Sequence, residues 1–151
     1  MPNNPMSDEE FRKMRTFIKP FSRLNVFMYR LSGGRLMGKF QGRPGMLVTI
    51  TGAKSAKQRT IPLMYVPYGD GVIMVGSLGG APKSPVWVKS LQKNPDITVR
   101  YRDQSMQLRA RQVDDAEKAK VWPVCCEHYP PYEDYQQRTD RNIPVFVCEP
   151  R

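Results

Sequence analysis

Three consecutive stretches decide the fold: Gly45-Met-Leu-Val-Thr-Ile-Thr51, Gly52-Ala-Lys-Ser-Ala-Lys-Gln58 and Arg59-Thr-Ile-Pro-Leu-Met-Tyr-Val66. The outer two are dense in apolar and β-branched side chains and read as strands, and the basic, polar stretch between them reads as a loop. Pro62 cannot donate to a sheet ladder, so the second strand is an edge or carries a bulge. Downstream, Gly69-Asp-Gly71 reads as a turn and residues 72–77 as a third strand. A loop over 78–85 leads to a short helix over 86–92 that closes at Asn94-Pro95. Strands over 97–102 and 106–113 follow, joined by a tight turn at Asp103-Gln104. Asp114 caps a helix expected over 116–121, Pro130-Pro131 opens another, and 143–147 is the last strand.

Upstream the periodicity changes. Ser7 and Glu10 have the spacing of a capping box, and the helix they start is expected to stop at Pro20. Phe21, Leu24, Met28 and Leu31 recur at helical spacing and give a second helix, ending at Gly33-Gly34. The expected class is α+β, mainly β: a small β-barrel with peripheral helices, one domain over residues 1–151, with N-terminal helices at about 7–32.

Composition narrows the chemistry. Residues 11–69 hold no acid but carry Arg12, Lys13, Arg15, Lys19, Arg23, Arg30, Arg35, Lys39, Arg43, Lys54, Lys57 and Arg59, within a net charge of +10. Such a field attracts an anion: a nucleic acid, an anionic membrane surface, or a cofactor bearing phosphate and carboxylates. His128 is the only histidine, which argues against zinc and against histidine-assisted nucleophilic catalysis. Cys125, Cys126 and Cys148 have no metal-type spacing and are expected as reduced thiols, so no metal is expected. No apolar run reaches the roughly 18–20 residues of a membrane span, and the acidic start does not resemble a secretion signal, so a cytoplasmic location is expected.

Three segments carry candidate function. Lys54, Ser55, Lys57 and Arg59 with nearby backbone N–H groups can cradle a phosphate or carboxylate, or form a plain solvated hairpin tip. Ser77-Leu-Gly-Gly80 follows a strand, and its glycines let a flat ligand approach the backbone, with Trp87 opening the next helix. Tyr129, Tyr132 and Tyr135 cluster around a short helix, where phenols can line an apolar pocket and still donate to an oxygen.

In order, Thr51-Gly-Ala-Lys-Ser55, Arg59-Thr-Ile-Pro-Leu63, Gly76-Ser-Leu-Gly-Gly-Ala-Pro-Lys-Ser-Pro-Val-Trp87, Leu91-Gln-Lys-Asn-Pro95, residues 129–139 and Arg141-Asn-Ile-Pro144 resemble the deazaflavin (F420)-dependent nitroreductase family over nearly the whole chain. The resemblance implies a split β-barrel that binds coenzyme F420, whose phosphate and oligoglutamate tail suit the acid-free basic surface. It implies that Lys54, Ser55, Lys57 and Arg59 hold the tail or phosphate, that Pro62, Leu63 and Met64 line the deazaflavin ring, and that Ser77, Leu78, Gly79, Gly80, Trp87 and Ser90 complete the cofactor site. It further implies catalytic roles for Ser77, Tyr129, Tyr132 and Tyr135, with Tyr132 the leading donor to the acceptor. This chain departs from the family with Ala53, Leu78, Ser90 and Met64 where Arg, Lys, Asn and, in the nitroimidazole-activating branch, Tyr are usual. The expected function is hydride transfer from reduced F420 to a quinone, an enone or a nitro compound. The alternatives are a non-catalytic deazaflavin carrier and a polyanion-binding module. A monomer or weak dimer is expected, without nucleic acid, peripheral on the inner face of the cell membrane if the N-terminal helices dock there.

Overall fold

Alternation along the strands sorts side chains between two layers, and the architecture follows from that sorting. The computed structural model describes residues 2–32, 39–40 and 43–151. The helix stop expected at Gly33-Gly34 lies outside the described residues. Helix α1 (Asp8–Ser32) precedes strands β1 (Lys39–Phe40), β2 (Arg43–Thr51), β3 (Gln58–Met64), β4 (Pro67–Tyr68) and β5 (Gly71–Val75). A single 3-10 turn (Leu78–Gly80) leads into α2 (Val86–Lys93), then β6 (Asp96–Tyr101) and β7 (Gln104–Gln112). Helices α3 (Asp115–His128) and α4 (Pro131–Gln137) come before the last strand, β8 (Val145–Pro150). The sheet is antiparallel in the order β1-β2-β6-β7-β8-β5-β4, with β3 paired to β2 and to no other described strand. It is a split β-barrel with peripheral helices, and Pro62 sits on the edge strand where a missing N–H costs least.

Met46, Val48 and Ile50 of β2 enter a core shared with Trp87 and Leu91 of α2, Val72 and Met74 of β5, and Phe146 of β8. The opposite face of β5 and β8, Ile73, Val75, Val145 and Val147, packs on a second core with Val121 and Cys125 of α3 and Tyr132 of α4. Those two strands are buried on both faces, which is why they read as unbroken apolar runs. Leu47, pointing the other way from its neighbours, meets Val26 and Tyr29 of α1. Tyr29 fixes that contact: its hydroxyl donates to the Gly45 carbonyl (3.2 Å) and accepts from the Arg102 N–H (2.6 Å).

The reciprocal Ser7–Glu10 cap forms as expected, at 2.9 and 3.1 Å. Pro20, however, does not end the helix; α1 continues through it. An interior proline costs about 3 kcal/mol, and the cap at one end and the buried Asn25, Val26 and Tyr29 at the other oppose that cost. Likewise α3 runs past Val121 and Pro123 to His128, because Val121, Cys125 and then Tyr129 fall on the second core. The β6–β7 turn is Arg102-Asp103, one residue earlier than expected: Gln104 pairs with Tyr101, and Arg102 takes the left-handed conformation at φ 57°. The three cysteines are free thiols, two of them buried; burial pushes Cys125 and Cys148 up to about 12.

Candidate active site

Strand β3 is the ruler of the site. Its first residue leaves the basic loop and its last, Met64, packs against the core that contains the tyrosines. Seven residues of extended chain span about 20 Å.

At the loop end, Lys54, Ser55, Lys57 and Arg59 are exposed. Ser55 Oγ accepts from the Lys57 N–H (3.2 Å), so the hydroxyl shapes the loop as well as facing solvent. Ala56 is left-handed at φ 56°. Two neighbours were not singled out from sequence. Lys93, at the end of α2, donates to the Ala53 carbonyl (2.8 Å) and brings an ammonium to the position where a cation is missing from the chain itself. Arg30 of α1 donates to Thr60 Oγ1 (2.9 Å), beside Arg59. Among the described residues none of Arg30, Lys54, Lys57, Arg59 and Lys93 is paired with a carboxylate. Every ion pair among the described residues lies elsewhere, in the triad of Arg111 with Glu117 and Glu149, in Arg109 and Arg151 with Asp96, and at the N-terminal helix. Nothing in the local sequence of Lys93 or Arg30 signals this placement, because it arises from the packing of α2 and α1.

Pro62, Leu63 and Met64 are half-buried along the free edge of β3. At the far end, the Tyr129 and Tyr135 hydroxyls are 3.0 Å apart, and the Tyr129 and Tyr132 rings meet edge to face at 4.8 Å. Tyr132 is the most enclosed of the three, 5% exposed, and Tyr135 is more open. Burial raises the Tyr132 and Tyr129 phenols well above their ordinary range, with the Tyr135 hydroxyl adding to the effect on Tyr129. They stay protonated and able to donate. The donor expected at Tyr132 is thus placed inward, Tyr129 is buried beside it, and Tyr135 is the most open of the three.

The glycine loop abuts this helix. A Cβ at Gly80 (φ 81°) would lie 2.7 Å from the Tyr135 carbonyl oxygen, and Gly79 (φ 65°) lies under the Met6 and Met14 side chains. These glycines therefore admit α4 and the N-terminal segment to the backbone on their Cβ side. Leu78 also has positive φ, 44°, a conformation costing roughly 1–2 kcal/mol for a residue with a Cβ. Ser77 is buried, and its Oγ makes no hydrogen bond among the described residues. Trp87 and Ser90 are buried on α2; the indole packs in the barrel core, tilted against Phe146 at 5.8 Å, so its contribution is to seat the helix. Arg138 and Arg141, unassigned by the sequence reading, both reach the loop: Arg138 also donates to the Asn4 carbonyl (2.8 Å) and pairs with Glu10 (3.4 Å). Helix α1 thus touches the glycine loop at its start and β3 at its end, forming an outer wall.

The donor set suits a long, polyanionic, ring-bearing molecule: unpaired cations at one end, a free strand edge between, and protonated phenols at the other. Comparisons with known proteins give the family. The model of the F420H(2)-dependent quinone reductase family matches residues 21–150. An F420H(2)-dependent quinone reductase of Mycobacterium tuberculosis (strain ATCC 25618 / H37Rv) is 36% identical over 133 residues, covering 85% of this chain and 89% of the relative. The solved structure of an F420-H2 dependent reductase, FDR-A, is 44% identical with a TM-score of 0.66, over 71% of this chain and 95% of that one. Another, described as a domain-swapped dimer, is 37% identical with a TM-score of 0.68, over 87% of this chain and 100% of that one.

Proposed function

The chain belongs to the F420H(2)-dependent quinone reductase family, whose members are enzymes with reduced F420 as cofactor, and from that premise we propose that it reduces a quinone at the tyrosine end of β3. The observation that carries this reading is the course of β3, which joins carboxylate-free cations to a cluster of protonated phenols. Lys54, Lys57, Arg59 and Lys93 would hold the phosphate and glutamate tail, and Pro62, Leu63 and Met64 would lie along the ring. When bound, the reduced coenzyme supplies a hydride to the acceptor. The protein's own task is then electrostatic. As the acceptor takes electrons, negative charge grows on its oxygen, and in this reading Ser77 Oγ and the Tyr135 hydroxyl, which shares a hydrogen bond with Tyr129, donate to it.

Enones and nitro compounds develop the same kind of charge and are secondary acceptors in this reading. A titration of the protein with F420, followed by oxidation of the reduced coenzyme with menadione, an enone and a nitroimidazole, tests it. Menadione is expected to turn over fastest. Binding without turnover of any acceptor would instead favour a deazaflavin carrier.

A lipid quinone calls for access to a bilayer. No helix is long and apolar enough to cross a membrane among the described residues. On α1, however, Leu24, Phe27 and Leu31 stand exposed at helical spacing (56, 61 and 71% exposed), beside the exposed Arg23. That face supports peripheral docking on anionic lipid. Co-sedimentation with vesicles containing phosphatidylglycerol, lost in Phe27→Glu, is the expected result; equal sedimentation of the two proteins would contradict it.

A further inference from the structure

Arg141 carries a role that the reading above leaves unused. Its guanidinium donates Nε to the Ala81 carbonyl (2.8 Å), Nη2 to the Ser77 carbonyl (2.7 Å), and Nη1 to the Gly76 carbonyl (3.2 Å) and Ser84 Oγ (3.4 Å). No carboxylate pairs with it among the described residues. A permanently charged group is therefore spent on carbonyls of one loop. Its own backbone is fixed in turn: the Arg141 carbonyl accepts from Gln136 Nε2 (2.9 Å), the Arg141 N–H reaches Thr139 Oγ1 (3.3 Å), and Lys118 Nζ holds the next two residues through Asn142 Oδ1 (2.6 Å) and the Ile143 carbonyl (2.8 Å).

The consequence follows from peptide geometry. In a planar trans peptide the C=O and the following N–H point in opposite directions. With the Gly76 and Ser77 carbonyls held on Arg141, the N–H groups of Ser77 and Leu78 point away from it. Neither has an acceptor among the described residues. A cation on the carbonyl side also polarises each peptide and strengthens its N–H as a donor. The same clamp holds the peptide planes on both sides of Ser77 and so fixes the direction in which its Cα–Cβ bond points.

We propose that Arg141 is a positioning residue for the reduction: it locks the 76–78 peptides so that the Ser77 side chain and the Ser77 and Leu78 amides are fixed as donors to the acceptor oxygen. This rests on the assignment of Ser77 above. The test combines Arg141→Lys, Ser77→Ala and the double variant in menadione reduction by reduced F420, with the F420 dissociation constant and Tm measured alongside. Arg141→Lys keeps the charge but one ammonium cannot serve three carbonyls in this fork. It is expected to lower kcat about 10- to 100-fold, with the F420 dissociation constant within about twofold of wild type. In the double variant the two losses are expected to be strongly non-additive. Independent, multiplying losses would overturn the proposal, as would a fall in F420 affinity that accounts for the whole effect. Ser77→Ala at wild-type kcat would instead sink the underlying assignment of Ser77. A readout that needs no variant is the amide spectrum of 15N-labelled wild-type protein bearing oxidised F420. Added menadione is expected to shift the Ser77 and Leu78 amides most, and unmoved resonances there would overturn the proposal even if Arg141→Lys failed to fold.

Discussion

Two groups of cations in this molecule use the same side chains for opposite ends. On β7, Arg109 pairs with Asp96 and Arg111 with both Glu117 and Glu149, at 2.6–3.1 Å. Around the β2–β3 loop, Lys54, Lys57 and Arg59 stand with no carboxylate partner among the described residues. The first group satisfies its charge within the fold. The second leaves mutual repulsion unrelieved, which gains nothing for the protein alone and fits a partner that brings its own negative charge. The difference teaches that net charge is a poor guide to a binding surface, and that the pairing state of each cation is a good one.

Removing charge on the two sides should have opposite signatures. The largest effect is expected for Lys54→Ala with Arg59→Ala: about a 100-fold rise in the F420 dissociation constant if each lost charge-assisted contact is worth about tenfold, with Tm unchanged or slightly raised. A titration and a melting curve on the same sample check it. Next is Tyr29→Phe, which touches neither group but removes the hydroxyl shared by the Gly45 carbonyl and the Arg102 N–H. A loss of about 1–2 kcal/mol is expected in denaturant unfolding, with F420 affinity nearly unchanged. Smaller still is Arg111→Ala: Arg111 and Glu149 are exposed and Glu117 is half-exposed, so Tm should fall by less than about 3 °C, and F420 affinity should not move.

The paired side also has a pH signature. Hydrogen bonds from Arg109 and Arg111 hold the Asp96 and Glu117 carboxyls below their ordinary range. A carboxyl depressed in the folded state lends stability above its unfolded value, and that stability is lost as pH falls through the folded one. Thermal melts should therefore weaken as pH drops from about 5 towards 3, and Arg111→Ala should flatten that dependence modestly.

Much of this architecture is legible from residue patterns alone. The alternation of β2, the capping box of Ser7 and Glu10, the Asp114 cap and the edge position of Pro62 are local rules obeyed locally. What sequence misjudged was decided by packing at a distance. Pro20 reads as a stop and the helix after Asp114 reads as ending at Val121, yet buried side chains beyond each point carry the helix on. Gly80 reads only as backbone freedom after a strand, yet its Cβ side is taken up by the backbone of Tyr135, a contact no local pattern signals. In the site, the loop cations, Ser77 and the three tyrosines were nameable from spacing and resemblance. Lys93, Arg30 and Arg141 were not assigned, because a long side chain donating to a distant carbonyl leaves no period or local motif that gives its role.

The central claim is that the unpaired cations at the start of β3 exist to bind F420. Its most direct measurement is the quenching of F420 fluorescence on titration with wild-type protein at low and at high salt, alongside the Lys54→Ala, Arg59→Ala variant. The account predicts saturable binding that weakens steeply with salt in the wild type, and in the variant weak binding with little salt dependence. Equal affinity and equal salt dependence in the two proteins would contradict it.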